Sequence, residues 1–165
     1  MYLSTTIVIK RFRPSDEQLF CDFFDDPEVI RYLPANSKKD YKTLFHKTFE
    51  DYQKGFMGRW GVYDTANGDF IGNCVLRILA EDESAMEIGY SIGKKYWGMG
   101  LGSEIVSALV KYTFSNTQHG DLTALTHPDN IASQKVLEKA GFVRNGNIER
   151  HGNALYLFRL ERNNI

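Results

Sequence analysis

Several features that would settle the class of this chain at once are scarce in it. Cysteine occurs twice, as Cys21 and Cys74, with neither a CxxC spacing nor a companion histidine cluster. That excludes a disulfide framework and a zinc site and leaves two reduced, buried thiols as the expectation. Surplus charge of one sign is also missing. Twenty Lys and Arg stand against twenty-one Asp and Glu, so there is no large electrostatic footprint for nucleic acid or an anionic membrane. No apolar run approaches the roughly 18 residues a membrane helix needs, and the stretch from Phe70 to Ala80 is broken by Gly72, Asn73 and Arg77. The first nine residues lack the charged start and apolar middle of a secretion signal, which makes the cytoplasm the default location. His46, His119, His127 and His151 show no ligand spacing, so no metal role is expected.

What is present suits one globular core. An apolar share of 42% over 165 residues fits a single domain spanning 1–165. Ser4 to Phe12 is rich in β-branched residues and reads as a strand closed by Pro14. Ser15 is the expected cap of a helix carrying Leu19, Phe20, Phe23 and Phe24, and Glu28 to Leu33 is expected to add another turn. Asn36 and Ser37 offer a cap for a longer helix, 38–53. Trp60 to Tyr63 and Phe70 to Leu79 read as strands joined through Asn67 and Gly68. Ala85 to Ile92 alternates as a strand, with Met86, Ile88, Tyr90 and Ile92 on one face. Helix is predicted from Gly102 to Phe114, strand from Leu122 to Thr126, and helix again from an Asn130 cap to Lys139, with Gly141 as its stop. Ala132, Val136 and Ala140 are expected to form the apolar stripe of that last helix. Two closing strands, Phe142 to Ile148 and Leu155 to Leu160, flank a turn at His151, Gly152 and Asn153. The order predicts one α/β domain with a mixed sheet.

The segment KKYWGMGLGS, Lys94 to Ser103, carries the most chemical information. Gly98, Gly100 and Gly102 lie between a predicted strand and a predicted helix start. Glycines let a phosphate approach the backbone there, and the exposed N–H groups and helix dipole favour its negative charge. A dinucleotide fingerprint beginning at Gly98 fails at Ser103, and a Walker A loop beginning at Gly93 has Met99 and Gly100 in place of its Lys and Ser or Thr. A phosphate-bearing ligand other than a nucleoside triphosphate follows.

At this junction the chain resembles the GNAT acetyltransferases, whose pyrophosphate loop reads Gln or Arg, two residues, then Gly-x-Gly or Gly-x-Ala. Trp97, Gly100 and Gly102 fall in register. Trp97 replaces the usual Gln or Arg, but Tyr-Trp-Gly is a habit of the ribosomal-protein N-terminal (alanine/serine) acetyltransferase subgroup. EIGYSI at Glu87 to Ile92, NIASQKVLEKAGF at Asn130 to Phe142, DPEVIRYLP at Asp26 to Pro34 and the Trp60 to Leu76 hairpin extend the resemblance over nearly the whole chain.

The resemblance implies a central, mostly antiparallel mixed sheet of about seven strands flanked by about four helices, with acetyl-CoA as co-substrate and no metal. Backbone amides of Trp97, Gly98, Met99, Gly100, Leu101 and Gly102, with Ser103, would hold the coenzyme A pyrophosphate. Tyr90 and Ile92 would lie along the pantetheine arm, and Asn130 would both cap its helix and touch the cofactor. Glu87 in the EIGY motif would be the water-assisted general base. Leu137 stands where many family members have a Tyr acid, which makes Ser133 the nearest hydroxyl for the departing thiolate and a further cofactor contact. Tyr32 and Trp60 match an aromatic lining on the acceptor side.

The base matters because the attacking amine must be neutral. At pH 7, deprotonating a lysine amine costs roughly 4.6 kcal/mol, against about 1 for an α-amine of pKa near 7.7 to 8.0. The expected reaction is direct attack of a primary amine on acetyl-CoA in a ternary complex. A protein or peptide N-terminus is the leading acceptor, and a polyamine, amino acid or antibiotic the alternative. The protein is expected as a monomer or homodimer without nucleic acid or membrane partners. Two rivals stand beside this reading: a coenzyme A-binding regulatory module without turnover, and an unrelated phosphate-binding scaffold.

Overall fold

The computed structural model describes residues 2–164. Eight strands hydrogen-bond in the order β1-β2-β3-β4-β5-β6-β8-β7. They are β1 Tyr2–Leu3, β2 Ile7–Arg11, β3 Gly58–Asp64, β4 Phe70–Leu79, β5 Asp82–Ile92, β6 Asp121–Thr126, β7 Val143–Arg150 and β8 Asn153–Glu161. The α-helices are α1 Glu17–Phe23, α2 Pro27–Ile30, α3 Lys38–Asp51, α4 Leu101–Asn116 and α5 Ile131–Lys139. The α/β class and mixed sheet are as expected. The eighth strand is a two-residue piece, β1, whose partners are Ile9 and Val8 of β2; it is too short to leave a period in the sequence.

Two compact units divide the chain. The first comprises residues 1–75 and 91–99, the second 76–90 and 100–165. In the first, the apolar faces of α1, α2 and α3 meet around Phe12, Phe20, Cys21, Phe24, Val29, Tyr41 and Phe45. The phenyl rings pack edge to face, as with Phe12 and Phe20 at 5.5 Å and 82°, the arrangement their quadrupoles favour. Both cysteines are free and buried here. Burial pushes the Cys74 thiol up to about 12, so it packs as a small apolar group.

The start of α1 departs from expectation. Pro14 begins a 3-10 turn, 14–16, with Ser15 inside it, and the Asp16 carboxylate accepts from the Arg13 N–H at 2.7 Å. Proline's fixed φ starts the turn one residue too early for Ser15 to cap it. Ser37 does cap α3, accepting from the Asp40 N–H while Asp40 accepts from the Ser37 N–H at 2.7 Å, a reciprocal capping box.

In the second unit β5 and β6 run parallel, Met86 opposite Leu122, a pairing that needs the α4 crossover between them. β8 then inserts between β6 and the edge strand β7. Asn130 caps α5 by accepting from the Ser133 N–H. At its other end the Phe142 N–H reaches Leu137 O and the Gly141 N–H reaches Glu138 O, both at 3.0 Å, a Schellman ending. Leu137 is the buried residue of α5, while Ala132 is exposed, so the expected stripe is displaced by one position. The closing turn is tighter than the sequence implied: Asn153 already belongs to β8, and His151 and Gly152 both have positive φ, the requirement of a two-residue type I′ hairpin. Arg162 donates to Phe114 O, Thr117 O and His119 O at 2.7 to 3.0 Å and so ties down the carbonyl end of α4.

Candidate active site

The glycine-rich junction forms a helix start open to an anion. Gly100, with φ +79°, is the N-cap of α4, and no side chain caps it. The Ser103 and Glu104 N–H groups turn back to Gly100 O at 3.1 and 3.3 Å, so the first-turn donors of Leu101 and Gly102 remain for a ligand. Just before it, the exposed Trp97 donates its indole N–H to Ile92 O at 2.8 Å, which occupies one lone pair of the carbonyl expected beside the pantetheine arm. Gly98 has φ +75°, and Met99 is exposed. Lys94 reaches Glu28 at 2.9 Å, and Lys95 and Tyr96 both reach Asp69 at 3.3 Å.

In the second unit Tyr90, Gly102, Asn130 and Ser133 come together. The Tyr90 hydroxyl lies 3.5 Å from Ser133 Oγ. A Cβ added to Gly102 would sit 3.3 Å from Tyr90 Cε2, so glycine there leaves room for the phenol. Burial pushes the Tyr90 phenol above its ordinary pKa, and the Ser133 hydrogen bond partly opposes this. Asn130 spends Oδ1 on the helix cap at 3.1 Å, while its Nδ2 has no partner among the described residues.

Glu87 is no solvent-face carboxylate. It is 4% exposed, because β5 is a central strand covered on both faces. Its Oε1 accepts from Arg77 Nη2 at 2.6 Å and from Arg150 Nη1 at 3.1 Å, and its Oε2 accepts from Arg150 Nη2 at 3.0 Å. Arg150 also grips Glu81 through Nε at 2.8 Å and Nη2 at 2.5 Å. Two guanidiniums and two carboxylates therefore balance in charge, the condition for burying Glu87 ionised. Each carboxylate oxygen offers about two acceptor sites, so Oε1 is filled and Oε2 keeps one for a bridging water.

The hydrogen bond from Arg150 holds the Glu81 carboxyl below its ordinary value of 4.5. A depressed folded-state value means stability that is fully present above the unfolded pKa and lost as pH falls through the folded one. The urea midpoint is expected to be flat from pH 7 to 5 and to fall below about pH 4.5, with Glu81→Gln flattening the decline. An unchanged acid limb in that variant would remove the ion quartet from the pH dependence.

Trp60 and Tyr32 belong to the first unit, and Asp82 to the second. Trp60 is buried in β3, the placement of a core residue. Tyr32 is half-buried after α2, with the Arg31 guanidinium 5.4 Å from its ring centroid. Asp82 begins β5 and accepts from the Ser84 N–H and hydroxyl. Sequence reasoning missed Arg77, Glu81 and Arg150. Arg150 is 69 residues from Glu81 and 63 from Glu87, so no local spacing announces the group. The Tyr90–Ser133 contact was missed as a pair for the same reason. Among the described residues no group of three or more His, Cys, Asp or Glu is placed to hold a metal ion, and no helix is long and apolar enough to cross a membrane.

An α/β sheet with a glycine-opened helix start beside a hydroxyl pair, and a buried carboxylate on a central strand, suits an enzyme whose ligand carries a phosphate. The acetyltransferase (GNAT) domain matches residues 6–143, and the chain belongs to that family. It is an acetyl-CoA-dependent N-acetyltransferase. It is 33% identical over 125 residues to YkkB of Bacillus subtilis (strain 168), covering 74% of this chain and 73% of that protein. Its fold is similar to that of the ribosomal-protein-S5-alanine acetyltransferase of Vibrio fischeri, with a TM-score of 0.82, 19% identity and coverage of 97% of this chain and 95% of that one. It is also similar to the spermidine N-acetyltransferase of Vibrio cholerae solved with CoA and spermine, with a TM-score of 0.78, 15% identity and 98% of both chains covered.

Proposed function

We propose that this enzyme acetylates the α-amine of a protein or peptide N-terminus by direct attack in a ternary complex. The observation that carries the reading is the environment of Glu87, a buried carboxylate with one acceptor site left on Oε2. A single water there suffices for an α-amine, whose deprotonation at pH 7 costs about 1 kcal/mol, more readily than for a lysine or polyamine amine costing about 4.6. Likeness to the ribosomal-protein-S5-alanine acetyltransferase supports a protein acceptor; likeness to the spermidine enzyme supports the polyamine alternative. Each compact unit is assembled from two separate segments, so neither can be excised as one piece, which supports reading residues 1–165 as one acetyltransferase domain.

The coenzyme A pyrophosphate would rest on the backbone from Trp97 to Gly102 with Ser103, and Tyr90, Ile92 and Asn130 would line the arm. The amine nitrogen's lone pair forms the new C–N bond to the acetyl carbonyl carbon, and its proton passes through water to Glu87. The C–S bond breaks with its electron pair on sulfur, and the thiolate takes a proton from Ser133, which Tyr90 can resupply across their contact. A thiolate with a pKa near 8.5 leaves without much help, so Ser133→Ala and Tyr90→Phe are each expected to lower kcat only about threefold to tenfold. The double variant should do little worse than either single, because the two hydroxyls serve one proton; independent multiplication would separate their roles.

The reaction is tested by incubating the protein with acetyl-CoA and a panel of N-terminal peptides, lysine peptides, polyamines and amino sugars, reading thiol release and product mass. N-terminally acetylated peptide is expected. Acetylated spermidine alone would move the acceptor to the polyamines, and acetyl-CoA binding without product across the panel would favour a regulatory module.

A further inference from the structure

We infer that Arg77 is a carboxylate-binding, specificity-determining residue of the acceptor site, so that the favoured acceptor is an amine carrying a carboxylate on the same residue or the next. The inference rests on Glu87 being where the amine delivers its proton. Two guanidiniums touch Glu87, and they differ in what they have left to offer. Arg150 is 13% exposed, and its Nε, Nη1 and Nη2 are all spent on Glu81 and Glu87. Arg77 has a 44% exposed side chain and gives one hydrogen bond, from Nη2 to Glu87 Oε1. A guanidinium has five N–H donors in a planar fork, so four of them lack a partner among the described residues.

An exposed arginine is ordinarily a mobile, hydrated charge. This one is anchored at 2.6 Å to a carboxylate whose side chain is only 5% exposed, so much of the entropy of ordering it is already spent and less is lost on binding an anion. Its free edge suits a bidentate carboxylate. An amine delivered to Glu87 brings its own next residue within about 4–7 Å, the reach over which that fork can be used. A polyamine presents a second ammonium to Arg77 instead, and like charges repel.

The carboxylate has two sources, an acidic side chain at peptide position two or the α-carboxylate of a free amino acid, and the test separates them. Rates are compared for C-terminally amidated peptides with Glu or Gln at position two, for free amino acids, and for spermidine, with wild type, Arg77→Gln and Arg77→Lys. Wild type should favour the Glu peptide over the Gln peptide, or free amino acids over both, by about 10-fold to 100-fold in kcat/KM. Arg77→Gln should collapse that ratio through KM, and Arg77→Lys should restore part of it. The ratio is the readout because a disturbance of Glu87 or of folding lowers both members of a pair alike. Peptides acetylated with no acidic preference, or with a preference that survives Arg77→Gln, would overturn the inference and leave N-terminal acetylation standing. Acetylation of spermidine alone would overturn both.

Discussion

Replacing Glu87 by Gln is expected to lower kcat by about 10²- to 10³-fold while leaving the affinity for acetyl-CoA within about twofold. Gln keeps the shape and one oxygen acceptor but cannot take a proton, and its NH2 meets guanidinium N–H groups where Oε1 or Oε2 accepted them. The loss should be larger for a lysine peptide than for an N-terminal peptide, since the base relieves about 4.6 kcal/mol in the first case and about 1 in the second. Raising the pH toward the acceptor's own pKa should therefore recover part of the rate. Pre-steady-state acetylation between pH 6 and 9.5, with acetyl-CoA binding followed separately, makes the comparison. Unchanged kcat in this variant would reduce Glu87 to a counter-ion for Arg77 and Arg150. Equal loss of donor binding and rate would mean that the ion quartet holds up the fold and does no more.

How much of this was legible before the structure depends on the range of each interaction. The α5 segment was readable at both ends because its signals are local: Asn130 reaches Ser133 across one turn, and Gly141 and Phe142 close on Glu138 and Leu137. The glycine-opened start of α4 was readable for the same reason, since Gly98 and Gly100 act through their own φ. Glu87 was singled out through its motif, but its setting was not legible. Alternation along β5 separates two faces and does not say that both are covered, and Ala85, Met86, Glu87 and Ile88 are all buried. Arg150 joins Glu87 only because β7 and β8 return to the sheet after α5, a long-range consequence of topology. Trp60 is a different case: an aromatic at a strand start reads equally well as core or as acceptor lining, and its burial comes from long-range packing that no local pattern announces.

A second large effect is expected from one methyl group at Gly72. An ideal Cβ built there would lie 2.0 Å from Ser91 O, 3.0 Å from Ser91 C and 3.1 Å from Ile92 Cα. All three are backbone atoms, so no side chain can rotate away. Ordinary carbon-to-oxygen approaches between strands are about 3.3–3.6 Å, and Gly72→Ala must therefore push the Ser91–Ile92 segment back by more than an ångström. The Ile92 carbonyl that holds the Trp97 indole belongs to that segment, as does the strand end proposed to pair with the pantetheine arm. Overpacking of this severity should cost about 3 kcal/mol or more, or roughly 10 °C in melting temperature for a chain of this length, and should weaken acetyl-CoA binding in the same variant. Gly120→Ala is the control: its Cβ would meet nothing within 4 Å, and it should melt within about 2 °C of wild type. If Gly72→Ala melts with the control and binds acetyl-CoA normally, the spacing at Ser91 is compliant, and the glycine reflects neither the strand geometry nor the donor slot. If stability falls while binding holds, the displaced backbone is not part of the donor's path.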